Sequence, residues 1–96
     1  MLWVRVATFE ADGNAVETMV GEINSSEEPP PGVPAKSSMV LADRENGRAR
    51  IVVRFDSEEN LRTGSATLDA MEPPSEAQMR RISVEKFEVV LERQAP

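Results

Sequence analysis

Few side chains in this 96-residue chain could support chemistry, and their types limit the possible reactions. The chain contains no cysteine and no histidine. It therefore has no thiolate nucleophile, no imidazole acid or base, no disulfide, and no conventional zinc or haem site. Arg50 and Arg54 lie four residues apart on one face of a predicted strand and could hold an anion, although ion pairs with Glu85 or Glu88, or plain exposure, explain them more simply. The residue types predict no catalytic group, no metal and no cofactor.

A second set of residues could line a pocket for a small apolar or aromatic ligand. Methionine and phenylalanine side chains adapt to irregular ligands, and a few polar groups then fix the orientation. The same side chains would also make an ordinary hydrophobic core, so both interpretations stay open. The predicted lining consists of Met19, Ile23, Asn24, Met39, Phe55, Ser65, Leu68, Met71 and Phe87.

The strands and helices that position these residues are predicted most clearly within residues 39–61. Ile51, Val53 and Phe55 alternate with polar residues, which predicts a strand with one buried face. Asn46-Gly47 before it provides the positive φ angles of a tight hairpin, and Ser57 after it is a helix N-cap. A helix is predicted over residues 57–71, with small residues around Gly64 that allow close approach to the sheet.

The rest of the chain adds a strand at each end and one more helix. Residues 2–9 alternate with two largely apolar faces, which is typical of a central strand. Val16, Met19, Val20 and Ile23 form one stripe of a helix after Asp12. The proline-rich residues 25–38 form a long loop, either a semi-rigid connection or else a lid or partner contact. The last strand, residues 82–92, changes its apolar phase, which predicts either a bulge near Glu85-Lys86 or a departure from the sheet.

The element order strand, helix, strand, strand, helix, strand predicts an α+β fold of the ferredoxin-like type, in one domain over residues 1–96. It is a four-stranded antiparallel sheet with two helices on one face and the first and third strands central. If Leu2, Val4 and Val6 face the helices, the other face is too apolar for water, and a second copy is expected to cover it. The predicted dimer interface is Trp3, Arg5, Phe9, Arg50, Val52 and Arg54.

Several short motifs, in the right order, resemble the antibiotic biosynthesis monooxygenase-like group of dimeric α/β-barrel proteins. They are WVRVATFE at the start, Pro31-Gly32, DRENGRARIVV, FDSEENLR and the final VEKFEVVLER. The resemblance implies two sheets packed face to face, with a pocket between each subunit's helices and its sheet. Enzymes of that group use histidine, tryptophan or asparagine around a haem or a polycyclic substrate. The chain departs from them in having no histidine, and no family catalytic residue matches a position here.

The charge and hydropathy of the chain limit the classes of partner that it can bind. The net charge is −6, and six acidic residues but no basic ones lie between Arg5 and Lys36. Clustered cations are needed to bind phosphate backbones, so neither nucleic acid nor an anionic membrane is expected as a partner. No secretory signal or spanning segment is visible, which predicts a cytoplasmic protein.

Three functions remain open. The first is a homodimer that binds a small apolar or aromatic ligand without catalysis. The second is a cofactor-free oxygenase that acts on an aromatic substrate in a dry pocket. The third is an accessory subunit whose acidic first helix docks a basic partner.

Overall fold

The computed structural model describes residues 2–25, 32–70 and 80–95. Within these ranges the element order is the predicted one. The middle of the proline-rich loop and the predicted pocket residue Met71 lie outside the described residues. The elements are β1 (Trp3–Glu10), α1 (Gly13–Ser25), β2 (Ser37–Asp43), β3 (Arg48–Phe55), α2 (Glu58–Ala70) and β4 (Arg80–Glu88).

The four strands form one antiparallel sheet in the order β2-β3-β1-β4. This order places β1 and β3 in the centre, as right-handed crossovers require, and it confirms the ferredoxin-like α+β fold. The described helices are both too short and too polar to cross a membrane.

Local signals fix where the elements begin and turn. The Asp12 carboxylate accepts a hydrogen bond from the backbone N–H of Ala15 at 2.7 Å, so Asp12 caps α1. The Ser57 hydroxyl accepts one from Asn60 N–H at 3.1 Å, which confirms the predicted cap of α2. Gly47 has a φ of 63°, so the predicted left-handed position of the hairpin turn is confirmed as well.

Both helices pack on one face of the sheet, which we call the covered face. Under α1, Ala15, Val16 and Met19 pack with Ala49 of β3 and with half-buried Ile51. Under α2, a second cluster joins helix, sheet and the described end of the proline-rich loop, and its buried members are Val33, Val53, Phe55 and Leu61. Burial of these side chains supplies most of the free energy that holds the helices to the sheet.

The predicted orientation of β1 is wrong. Trp3, Arg5, Ala7 and Phe9 pair directly with residues 55, 53, 51 and 49 of β3, and directly opposed residues in antiparallel strands share a face. They therefore lie on the covered face, and Val4 and Val6 lie on the other. Arg50, Val52 and Arg54 lie away from the helices, as predicted.

The last strand also differs from its prediction. β4 is regular at Glu85-Lys86, and its irregularity lies earlier in the strand, between Arg81 and Ser83, opposite Phe9 and Thr8. Val84 faces the helices because it pairs with Ala7, whereas Phe87 pairs with Val4 on the other face. The strand ends at Glu88, after which Val89 N–H still donates to the carbonyl of Leu2 at 2.9 Å. In the regular part of β4, the change of apolar phase therefore reflects Val84 on the covered face and Phe87 on the other face.

Candidate functional site

The structure separates the residues predicted to line one pocket. Met19 and Ile23 belong to the cluster under α1, and Phe55 and Leu68 belong to the cluster under α2. Asn24 is exposed. Met39 pairs with Val52, so Met39 lies with Phe87 on the face without helices. Because Met39 and Phe87 are separated from Phe55 by the sheet itself, these residues cannot line a single cavity.

The space between α2 and β3 is filled by protein. The Phe55 side chain is fully buried, and a Cβ built on Gly64 would lie 2.5 Å from Cε1 of the Phe55 ring. That distance is far below a normal carbon contact of about 3.5–4.0 Å. Gly64 therefore allows α2 to approach the sheet, as predicted, and no ligand fits between this part of the helix and Phe55.

The only charged side chain buried in the described part of the chain is that of Arg5, which is 3% exposed. Its Nε donates to Oγ of Ser65 at 3.2 Å, and its Nη2 donates to Oδ1 of Asp69 at 2.6 Å. Ser65 and Asp69 are four residues apart on α2 and so lie on the same side of that helix. One arginine on β1 thus contacts two successive turns of α2.

Two further cations lie around the same carboxylate. Lys86 of β4 pairs directly with Arg5, so both lie on the covered face. Arg81 Nη2 donates to the main-chain carbonyl of Asp69 at 3.3 Å. Asp69 has a half-exposed side chain, whereas Lys86 and Arg81 are exposed. We call Arg5, Ser65, Asp69, Arg81 and Lys86 the Arg5 cluster.

These cations act on the ionisation of Asp69. The hydrogen bond from Arg5 lowers the pKa of the Asp69 carboxyl below its ordinary value of 3.8, against an opposing effect of burial. The charges of Arg5, Arg81 and Lys86 lower this pKa further. Asp69 is therefore ionised at neutral pH, and the Arg5 cluster combines three cations with one anion.

The arrangement does not activate Ser65 as a nucleophile. A serine hydroxyl becomes nucleophilic when a base takes its proton, and the neighbour here is a guanidinium, which only donates hydrogen bonds. The Arg5 cluster can instead neutralise or hold negative charge.

The face of the sheet away from the helices is the second candidate site, and we call it the open face. In the single chain, the side chains of Met39, Leu41 and Phe87 on this face are each nearly half exposed. The pairings place half-buried Val4, Val6 and Val52 between them. The open face consists of Val4, Val6, Thr8, Ser37, Met39, Leu41, Arg50, Val52, Arg54, Ser83, Glu85 and Phe87.

Three of the six residues predicted to form the dimer interface lie on the opposite face of the sheet from the other three. Trp3, Arg5 and Phe9 lie on the covered face, where Phe9 and Arg5 are buried by the chain's own helices. Arg50, Val52 and Arg54 remain on the open face. Arg54 forms an ion pair with Glu92 rather than with either predicted partner.

Other polar features are explained by local structure. A shallow cleft of about 370 Å³ lies at the hairpin end of the sheet, but its lining is mostly polar turn and strand-end residues, Glu10, Ala11, Asp12, Asn46, Gly47 and Arg48. Asp12 in it already caps α1. Across the three described ranges, no three acidic side chains come close enough together to hold a metal ion.

A comparison with models of known protein families gave no match to this chain, and neither did a search of curated protein sequences. The resemblance to the monooxygenase-like group therefore stays a prediction from short motifs, and the functional argument rests on the two sites above.

Sequence reasoning missed most of the Arg5 cluster. Asp69, Arg81 and Lys86 read as solvent-exposed charges on amphipathic elements, and nothing local connects them with residue 5. One signal was available, because Arg5 is a single charge between the apolar residues Val4 and Val6 of a central strand.

Proposed function

We propose that this chain is a homodimeric binding protein that packs the open faces of two copies together and holds a small apolar or aromatic ligand without catalysing a reaction. The observation that supports it best is the open face itself. Six apolar side chains from all four strands lie side by side there, and the three largest are nearly half exposed in the single chain.

A face of this kind suits a second copy of the same chain. Monomeric proteins rarely leave a contiguous apolar sheet face in water, and a two-fold dimer buries the same patch on both subunits. The apolar residues form a continuous band across the open face, from edge strand β2 through β3 and β1 to edge strand β4, and Arg50, Arg54 and Glu85 lie beside this band. Protein interfaces commonly combine apolar area with polar side chains, among which arginine is enriched.

The chemistry of the chain favours binding over catalysis. The sequence offers no histidine or cysteine, and Ser65, the buried serine among the described residues, accepts a hydrogen bond from Arg5, which cannot act as its base. Arg5 itself is a group suited to recognition, because guanidinium groups make directed hydrogen bonds with anions.

Two adjacent residues on opposite faces provide the test. Val52 lies on the open face between Val6 and Met39, whereas Val53 is buried in the cluster under α2. In the dimer, Val52→Asp would move a carboxylate from each subunit out of water into the apolar band of the interface, where the cost of desolvating a charge can exceed its attraction to nearby Arg50 and Arg54. Val53→Ala removes only apolar contacts within one subunit and serves as the matched control.

The measurement is sedimentation and thermal unfolding over a wide range of protein concentration. We expect a dimer for the natural chain and for Val53→Ala, with a melting temperature that rises with concentration. We expect a monomer for Val52→Asp. A natural chain that sediments as a monomer, with melting independent of concentration, would exclude the homodimer.

A further inference from the structure

Two charged side chains on the open face form no ion pair among the residues that the structure describes. They are Arg50 of β3, which is half-buried, and Glu85 of β4, which is exposed. The pairings of Arg50 with Thr8 and of Thr8 with Ser83 place Arg50 and Glu85 two strands and two residues apart, about 12 Å between their backbones. One chain therefore presents an unmatched cation and an unmatched anion on the same surface.

The other charges at this face are balanced within the chain. Arg54 pairs with Glu92, and Asp56 pairs with Lys36 just beyond the end of β3. At the hairpin end of the sheet, a row of directly opposed residues alternates in sign from strand to strand and sums to zero. It consists of Asp43, Arg48, Glu10 and Arg80, and the last two form an ion pair at 3.0 Å.

The positions of Arg50 and Glu85 are related by a right angle about the middle of the open face. Arg50 is two residues from Val52 along β3, so it lies about 7 Å from the middle in the direction of the strands. Glu85 shares a row with Val52 and Val6 but lies on edge strand β4, so it is about 7 Å from the middle across the strands. The two displacements are equal and perpendicular.

This relation makes the open face complementary to itself. Two sheets that pack face to face align their strands or cross them at about 90°. In a two-fold dimer with crossed sheets, the direction along the strands of one copy is the direction across the strands of the other. Arg50 of each copy then lies over the partner's Glu85, and the two-fold axis repeats the contact.

Aligned arrangements of the same two faces leave these charges unmatched. With the two-fold axis along the strands, Arg50 lies over the partner's Thr8, and Glu85 lies over the partner's Met39. With the axis across the strands, Arg50 lies over the partner's Arg54. Unpaired charges and like charges in contact are both costly in an interface, so the charges favour the crossed arrangement.

We propose that the two copies of the dimer cross at about a right angle and that Arg50 of each copy forms an ion pair with the partner's Glu85. The proposal rests on the dimer of the proposed function and names the contacts that orient it. Crossing in the opposite sense would bring Arg54 over the partner's Glu85, but Arg54 already pairs with Glu92 of its own chain.

The experiment is sedimentation equilibrium of two charge-reversed variants, Arg50→Glu and Glu85→Arg, each alone and in an equimolar mixture. Each variant alone should dimerise at least about a hundredfold more weakly than the natural chain, because both contacts of its homodimer join like charges. The mixture should form a heterodimer about as stable as the natural dimer, since each contact again joins opposite charges.

The matched control is the pair Arg62→Glu and Glu17→Arg. These variants carry the same changes of net charge, but on exposed side chains of α2 and α1. Each should dimerise like the natural chain, and their mixture should show no preference for a heterodimer. The control therefore separates local pairing from attraction between the net charges of two chains.

Neutral variants decide the question if a charge-reversed variant does not fold, as judged by circular dichroism. Arg50→Gln and Glu85→Gln should each weaken the dimer at least about tenfold. The double variant should then weaken it by less than the product of the two single effects, because the two changes remove the same contact. Independent effects would overturn the pairing.

The outcomes distinguish this proposal from the proposed function. A natural chain that sediments as a monomer would exclude the dimer and these contacts with it. A natural dimer that Arg50→Glu leaves equally tight, or a mixture that restores nothing, would overturn the ion pairs and leave the dimer standing. Restoration by mixing Arg54→Glu with Glu85→Arg instead would show that the sheets cross in the opposite sense, and the assignment of Arg50 would be wrong.

Discussion

Both faces of this sheet carry large apolar side chains, but these side chains have different surroundings. Phe55 on the covered face is completely buried under α2, whereas Phe87 on the open face is 48% exposed. The covered face also buries a charge, Arg5, while the open face exposes Met39 and Leu41. The comparison shows that the face covered by the helices can include a charged residue where a helix supplies its hydrogen-bond partners.

The largest difference in unfolding free energy between the two faces is expected when a phenylalanine on each face is truncated to alanine. Phe55→Ala should lower the free energy of unfolding by about 3–5 kcal/mol, because it removes a fully buried ring and leaves a cavity. Phe87→Ala should cost less than about 1 kcal/mol in dilute solution, since its ring already meets water. Urea unfolding measures both.

The phenylalanine pair also tests the dimer. If two open faces pack together, the cost of Phe87→Ala grows as the protein concentration rises, whereas the cost of Phe55→Ala does not. A cost for Phe87→Ala that is the same at all concentrations would mean that Phe87 stays exposed to water.

The next largest difference in unfolding free energy is expected between variants of two arginines, Arg5 on the covered face and Arg54 on the open face. Arg5→Met should cost about 1–3 kcal/mol, because Ser65 loses its buried partner and Asp69 loses its hydrogen bond. Arg54→Met should cost less than about 1 kcal/mol, because its ion pair with Glu92 is partly exposed. Chemical denaturation of the two variants side by side gives the difference. Equal costs would mean that the Arg5 cluster contributes little to the fold.

A smaller effect is expected from the two helical glycines. Gly64→Ala should destabilise the chain by about 1–2 kcal/mol, because the clash with Phe55 outweighs the gain in helix propensity. Gly21→Ala should stabilise it by up to about 1 kcal/mol, since nothing lies within 4 Å of a Cβ built there. Thermal unfolding of both variants checks the opposite signs, and a stabilising Gly64→Ala would contradict the close approach of α2.

The smallest effect is a pH dependence from Asp69. Its pKa in the folded chain is lowered from 3.8, so the unfolded chain binds the proton more readily. The stabilisation is present above the unfolded value and is lost as the pH falls through the folded one. The difference in unfolding free energy between the natural chain and Asp69→Asn should therefore shrink below pH 3.8. A difference that is constant with pH would show that the ion pair adds no stability.

The sequence predicted the fold and one face of the sheet but not the other. On β3, charged Arg50 and Arg54 alternate with Ile51, Val53 and Phe55, so the buried set was unambiguous. The elements and their caps follow from signals only a few residues apart. The ferredoxin-like arrangement was predictable because right-handed crossovers leave few alternatives once the element order is known.

On β1, the sequence could not decide between two apolar sets. Arg5 counts as polar in any alternation, which favours the face of Val4 and Val6 as the buried one. Arg5 can nevertheless lie on the covered face because Ser65 and Asp69, which are 60 and 64 positions away in the sequence, accept its hydrogen bonds in the folded chain. Alternate residues of a strand share a face, so Trp3 and Phe9 lie on the covered face together with Arg5. The Arg5 cluster depends on the same contacts and was missed with them.

The pairing of β1 has a consequence for how the chain folds. β1 comes early in the sequence, yet Trp3 pairs with Phe55 on one side and with Glu88 on the other. Contacts between residues so distant in sequence form slowly, because the loop that joins them must first lose its conformational entropy. While the later strands are still being synthesised, both edges of an apolar β1 lack their partners. Unpaired strand edges of this kind readily join other chains, so chaperone binding to residues 2–9 would protect the nascent protein during this interval.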